Sequence, residues 1–241
     1  MKPPQIIALE KNLGLEIYYD RQHTQFSFSN GNCSVNKEGK VTKLNLFWGR
    51  LDDTSFLGEF SSLTHLSLSY KNIKNISFIK NLKRLIELDL SNNEIIDASS
   101  LKDLSGLSTL RLNSNRIVNV SFLKNLTNLT YLDLSGNKIS DITFLKNLTN
   151  LTDLDLSGNA ITDITFLKDL KNLADLNLSR NRITDASLQG FAKITSLKFT
   201  GNPLQNLTLD SFPEIKTIDL ANLKLEKVIR LQYIESRRIN N

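Results

Sequence analysis

The chain has 241 residues, 40% of them hydrophobic and 23% charged, with a net charge of +5. That balance excludes a disordered chain, and no stretch approaches the roughly 18 apolar residues that cross a bilayer. One cysteine, Cys33, and two histidines, His23 and His65, exclude a disulfide framework and leave little material for a metal site or a histidine-based triad; no catalytic residues, cofactor or metal are expected, and the protein reads as a non-enzyme.

Taken from the N-terminus, Pro3 and Pro4 precede apolar residues at Ile6, Leu9 and Leu13, and Gly14 follows. Proline at the start and glycine past the end predict a short helix. Residues 26–35 and 41–46 read as two strands around Asn36-Lys37-Glu38-Gly39-Lys40, a hairpin turn in composition. Residues 1–40 are therefore expected to form an N-terminal cap, with Cys33 inside it as a small buried hydrophobe. The opening Met1-Lys2-Pro3-Pro4 lacks the apolar core of a secretion signal. Together with the single cysteine, this sets the expectation of a cytoplasmic protein.

From Val41 onward the chain repeats. Residues 129–150 read LTYLDLSGNKISDITFLKNLTN and residues 151–172 read LTDLDLSGNAITDITFLKDLKN, mostly identical at an offset of 22. The same frame begins at Val41, Leu63, Leu85, Leu107, Leu173, Ile194 and Ile215, with two units shortened to 21 residues. This makes eight full units and a partial ninth over 41–225. Each opens L-x-x-L-x-L-x-x-N-x-I. Leu132 and Leu134, two apart, point to one face of a short strand, while Tyr131, Asp133 and Ser135 point to the other. The asparagine column holds Asn93, Asn115, Asn137, Asn159, Asn181 and Asn202. Turned inward, these amides are expected to satisfy backbone groups that a curved chain would otherwise bury unpaired. Gly49 and Lys71 break the column in the first two units, and Leu223 in the last.

The second half of each unit begins with Asp or Asn before a short apolar run, at Asp97, Asn119, Asp141, Asp163 and Asp185. That is a helix-start signal, and the run is long enough only for one 3₁₀ or α turn. Phe78, Phe122, Phe144 and Phe166 are expected to stack as a spine in the core. Lys80, Lys102, Lys124, Lys146 and Lys168 are expected to form a solvated row on the opposite side. At the far end, Val228, Leu231 and Ile234 are spaced as an apolar helix stripe, predicting a capping helix over 226–238 within a C-terminal segment 226–241. Over residues 224–241 the cations Lys224, Lys227, Arg230, Arg237 and Arg238 outnumber Glu226 and Glu235, but without a broad basic footprint no nucleic-acid partner is expected.

The repeated L-x-x-L-x-L-x-x-N-x-I resembles the leucine-rich repeats of the 22-residue class found in internalins and in phosphatase-regulating repeat proteins. The resemblance covers about three quarters of the chain. It implies an α/β fold: a right-handed solenoid with a parallel β-sheet on its concave face and short 3₁₀ or α turns on the convex side. The N-terminal Ile-x-x-Leu-Glu-Lys-Asn-Leu-Gly and the later Asn-Lys-Glu-Gly-Lys-Val-Thr-Lys-Leu-Asn-Leu are similar to the repeat region that begins some bacterial Roco proteins. No G-x-x-x-x-G-K-[ST] loop is present, so no GTPase activity is carried over. N-x-[ST] triplets at Asn75, Asn125, Asn147 and Asn206 arise from the repeat and are not read as glycosylation sites.

Strand side chains that the core does not need are the candidates for function. The third repeat column runs Lys43, His65, Glu87, Thr109, Tyr131, Asp153, Asp175, Ser196, Thr217. Adjacent members sit about 5 Å apart, so Asp153 and Asp175 repel and a cationic partner would relieve them. The fifth column belongs to the common Leu-Asp-Leu-Ser signature and says less, apart from Arg111. Phe47, Trp48 and Tyr70 follow the strands of the first two units as aromatic anchors of an interface. Arg180 flanks the acidic stretch. The expected partner-binding set is Phe47, Trp48, His65, Tyr70, Glu87, Arg111, Tyr131, Asp153, Asp175 and Arg180. The expected function is a protein–protein interaction module whose concave face binds a partner protein bearing a basic patch, with no membrane partner. Two alternatives stand: a regulatory segment of a larger Roco-type signalling protein, and an internalin-like adhesin or secreted effector.

Overall fold

A computed structural model describes residues 4–14, 32–46, 51, 53–209, 214–221 and 227–230. Helix α1, Pro4–Leu13, buries Ile6 and Leu9 and ends at Gly14, whose φ of 63° is the left-handed conformation that closes helices. Its Gln5 Oε1 accepts the backbone N–H of Val41 at 2.8 Å and ties the helix to the first repeat. Strands β1 (Asn32–Val35) and β2 (Val41–Asn45) pair antiparallel. Between them Asn36 Oδ1 accepts the N–H groups of Glu38 and Lys40, and Gly39 turns at φ 74°. Cys33 packs against the core but stays half-buried, because it lies on the edge strand of the cap.

The repeats then follow one another as strands β3 (His65–Ser67), β4 (Glu87–Asp89), β5 (Thr109–Arg111), β6 (Tyr131–Asp133), β7 (Asp153–Asp155) and β8 (Asp175–Asn177). After β9 (Asp185–Leu188) come β10 (Ser196–Lys198), β11 (Asn206–Leu209), β12 (Thr217–Asp219) and β13 (Lys227–Arg230). One sheet has the order β1-β2-β3-β4-β5-β6-β7-β8-β10-β12, parallel from β2 onward. The pairing steps one repeat at a time, as in His65↔Glu87 and Tyr131↔Asp153. Nine parallel strands about 4.8 Å apart give a sheet roughly 40 Å long.

Opposite the sheet, six 3₁₀ turns stack, from Ser55–Glu59 to Thr165–Asp169. Asp53, Asn75, Asp97, Asn119, Asp141 and Asp163 each accept, through Oδ1, the N–H two residues on, which bends the chain into the turn. Asp185 departs from that expectation. It opens strand β9, which stands where the turn of the preceding repeat stood and pairs with β11, itself paired with β13. The predicted C-terminal helix is corrected in the same place: Lys227–Arg230 are a strand. The β-branched pair Val228-Ile229 suits extended backbone, and β11 offers an open parallel edge.

The core is the leucine lattice. Leu57, Ile79, Leu101, Leu123, Leu145 and Leu167 are fully buried, one per turn. The phenylalanine spine is shallower than expected: Phe78 and Phe122 are buried, whereas Phe144 and Phe166 are half-buried. The residue after each phenylalanine takes the inner position and leaves the ring at the flank. Asparagines fill the other side of the core. Asn115 donates through Nδ2 to the carbonyls of Leu90 and Leu112 at 3.0 Å, and its Oδ1 accepts Ile95 N–H at 3.0 Å. Asn93, Asn137, Asn159, Asn181 and Asn202 repeat this pattern. Lys71 takes the asparagine's place in the second unit at 2% exposure, and burial pulls its ammonium down to about 8.

Candidate interaction face

The side of the sheet away from the leucines is the candidate site. Alternation puts the third and fifth repeat columns there, because the leucine between them is buried on strands β2 to β8 and on β10. The in-register pairing stacks each column along the sheet, so that charges at equivalent positions become neighbours.

At the N-terminal end a hollow of about 600 Å³ is lined by Lys43, Asn45, His65, Ser67, Glu87, Asp89 and Arg111. His65 Nε2 lies 3.5 Å from Glu87 Oε1, and its Nδ1 is 2.8 Å from the Thr64 hydroxyl. Burial and the Lys43 charge lower the His65 pKa below its usual 6.5, with Glu87 acting the other way. The ring is therefore neutral at pH 7. Asn45 Oδ1 is buried here with no hydrogen-bond partner among the described residues. Arg111, at the edge of this hollow, stacks over the Tyr131 ring at 4.6 Å from its centroid.

Beyond that stack the face turns acidic. Tyr131, Asp153, Asp155, Asp175, Asn177, Ser196 and Lys198 line a second hollow of about 160 Å³. Asp153 stands beside Asp175, and Asp133 beside Asp155, in strand register. Asp155 Oδ2 accepts Asn177 Nδ2 at 2.9 Å, and Asp153 Oδ2 accepts the Thr152 hydroxyl at 2.6 Å. Asp133 accepts both the N–H and the hydroxyl of Ser135, yet burial raises its pKa, and the Asp155 charge adds to that rise. Four carboxylates thus occupy β6, β7 and β8, flanked by Arg111 on one side and Lys198 on the other. The sequence reading gathered Asp153 and Asp175 but set the fifth column aside as signature. Asp133, Asp155, Asn177 and Lys198 were missed, although the two-residue spacing already put them on the same face.

The rim of this face is the turn after each strand. Tyr70, Asn92, Ser114, Gly136, Gly158, Arg180 and Gly201 share one column, and all have φ between 54° and 76°. Left-handed backbone costs an L-residue about 1–2 kcal/mol and glycine nothing. Tyr70 is 64% exposed and Arg180 is exposed as well. The sequence-predicted set is thus divided. His65, Glu87 and Arg111 meet in the first hollow, Tyr131, Asp153 and Asp175 in the second, and Tyr70 and Arg180 stand on the rim; Phe47 and Trp48 lie outside the described residues. The lysine row Lys80, Lys102, Lys124, Lys146, Lys168 is exposed on the opposite, turn-bearing side. Among the described residues, no group of three or more His, Cys, Asp or Glu is placed to hold a metal, and no helix is long and apolar enough to cross a membrane.

The family model for leucine-rich repeats (two copies) matches residues 61–106, 105–147 and 149–193, together more than half of the chain. No curated protein sequence matches. Among solved structures, internalin C2 of Listeria monocytogenes is similar at 37% identity, with a TM-score of 0.63 over 65% of this chain and 72% of that one. An internalin, InlF, of the same organism is similar at 29% identity, with a TM-score of 0.61, over 76% of this chain. The match spans 62% of the InlF chain. A leucine-rich repeat protein of Leptospira interrogans has the higher TM-score of 0.71, over 81% of this chain and 54% of that one, but at 23% identity it shares the fold alone. The repeat motif, the stacked asparagines, the parallel sheet with 3₁₀ turns and these matches agree: the chain belongs to the leucine-rich repeat family, with repeats of the internalin type.

Proposed function

We propose that this protein is an interaction module that binds a partner protein on the concave face of its sheet, and that the partner presents a basic patch to Asp133, Asp153, Asp155 and Asp175. Leucine-rich repeat folds generally mediate protein–protein interaction, and their curved arrays offer extended concave binding surfaces. The observation that carries the reading for this chain is the run of carboxylates on three successive strands, β6 to β8, of which Asp153, Asp155 and Asp175 line a hollow of about 160 Å³. Like charges about 5 Å apart cost well under about 1 kcal/mol in water, but the burial that already raises Asp133 makes a bound cation worth more. The aromatic and guanidinium groups beside it, Tyr131 and Arg111, add the residue types that anchor interfaces. No catalytic group is assigned.

The test is affinity capture from the native lysate with the wild-type chain and with Asp153→Lys/Asp175→Lys, after circular dichroism shows that both are folded. A protein held by the wild type and lost from the variant supports the assignment. Identical captured sets contradict it. The 37% identity to internalin C2 favours a second, narrower reading, an internalin-like adhesin or secreted effector. Fractionation that finds the protein only in the cytosol of its source counts against that reading and leaves the first untouched.

A further inference from the structure

The lysine row on the turn-bearing side makes no contact that holds the fold. Lys80, Lys102, Lys124, Lys146 and Lys168 occupy one column over successive repeats, all exposed. None of them forms a hydrogen bond or ion pair among the described residues. Lys83, Arg84, Lys171 and Lys193 add further exposed cations beside the row. Three of these are engaged: Lys83 with Asp103 at 3.6 Å, Lys171 with Gly190 O at 3.5 Å and Lys193 with Asn172 Oδ1 at 2.8 Å. The carboxylates Asp97, Asp141 and Asp163 stand at the start of each turn and accept the N–H two residues on. The row is therefore a run of like charges, set one repeat apart, that repel one another.

The sheet face carries the opposite sign at the same interval. Glu87 and Asp89 lie on β4, Asp133 on β6, Asp153 and Asp155 on β7, and Asp175 on β8. Its cations are Arg111 on β5 and Lys198 on β10, with Lys43 at the far end on β2. Both rows take their spacing from the same repeat, so a slip by whole repeats brings one into register with the other. A slip of one repeat pairs the signs. Lys124, Lys146 and Lys168 of one copy then face β6, β7 and β8 of the next, and Lys80 faces Glu87 and Asp89. The cations of the face are accommodated as well. Arg111 meets the repeat in which Asp103 follows Lys102, and Lys198 meets the one in which Gln189 and Gly190 stand where the others have lysine. The sheet is the concave side of such an array and the turns its convex side, so copies nest in the same orientation.

We propose that the partner on the sheet face is a second copy of this chain, whose lysine row docks on Asp133, Asp153, Asp155 and Asp175. This rests on the concave-face reading and names its partner. Each row repels itself when alone, and the contact relieves both at once. The two docking surfaces differ, so the contact is heterologous: a stack of copies always keeps one lysine row and one acidic face free at its ends. Assembly therefore continues past the dimer as concentration rises, and salt disperses it.

Sedimentation velocity on the full chain tests this, at about 20 mM and about 500 mM salt. The wild type should associate beyond the dimer at low salt and return to monomer at high salt. Lys124→Asp/Lys146→Asp reverses the row and Asp153→Lys/Asp175→Lys reverses the face; circular dichroism checks that both are folded. Either variant alone should associate at least about tenfold more weakly than the wild type. Mixed in equal amounts, the two should associate again, because each supplies the sign that the other has lost. A wild type that stays monomeric at low salt up to about 1 mM protein would overturn the proposal. Association that stops at a dimer would also overturn it, as would variants that associate like the wild type or a mixture that stays monomeric while the wild type assembles. A lysate protein that is lost from Asp153→Lys/Asp175→Lys, while the wild-type chain itself stays monomeric, would give the face to another cationic protein; self-docking would fall and the concave-face reading would stand.

Discussion

Asp133 and Lys71 show how single residues carry this protein's pH response. Asp133 is half-buried beside Asp155, and its pKa is raised above 3.8. The folded state therefore holds this proton more tightly than the unfolded chain, and stability falls as pH rises from about 4 through the raised value. Asp133→Asn keeps the acceptor for Ser135 and removes the charge. It is expected to stabilise by up to about 1 kcal/mol at pH 7, with no difference below pH 3.5, as read from urea melts at both values. Lys71 behaves oppositely. Its folded value of about 8 lies below the ordinary 10.5, so the unfolded chain binds more protons between those values and stability rises with pH across that window. Lys71→Asn should abolish that rise, on the order of 1–3 kcal/mol, while the wild type keeps it. At this scale the sequence was readable by column: it marked Lys71 as the residue that breaks the asparagine series. It did not show the left-handed backbone of Tyr70 and Arg180, although Gly136, Gly158 and Gly201 in the same column were a usable sign of it.

Each central repeat is one strand, one asparagine turn and one 3₁₀ turn, and the asparagine ties neighbouring repeats together. Asn115 joins the carbonyls of Leu90 and Leu112 to the N–H of Ile95, so it spans two repeats. Asn115→Ala leaves the buried Ile95 N–H unpaired and removes one of the two amide donors to each of the Leu90 and Leu112 carbonyls, which Asn93 and Asn137 still serve; it is expected to destabilise by roughly 1–3 kcal/mol, measured by chemical unfolding. The strands and turns of the central repeats were legible because a period of two, an asparagine and an Asp or Asn start signal recur in every unit. The end was not. Asp185 carries the same start signal as Asp163, yet it opens β9, because a neighbouring strand, β11, competes for its backbone. Val228 likewise sits at a spacing that suits a helix face, but Lys227–Arg230 pair with β11. Local signals identify an element only where tertiary pairing does not offer the same backbone a better partner.

Over the whole molecule, the solenoid turns sequence order into spatial order. Each repeat touches its neighbours, and columns of the sequence become rows on a surface. This is why the fold was so plain in the sequence, while the interaction face was only half so. The hydrophobic columns repeat and reinforce one another, whereas the face columns vary and must be read one residue at a time. The acidic cluster emerges only when Asp153 and Asp175 are joined by Asp133 and Asp155 across three strands. The proposed function turns on this cluster binding a cationic part of a protein partner. The most direct measurement is calorimetric titration of a captured partner into the wild type and into Asp153→Lys/Asp175→Lys, each at low and at physiological salt. The variant is expected to lose about 100-fold in affinity, and the wild-type affinity to weaken with salt. Equal affinities for the two chains, unmoved by salt, would contradict it.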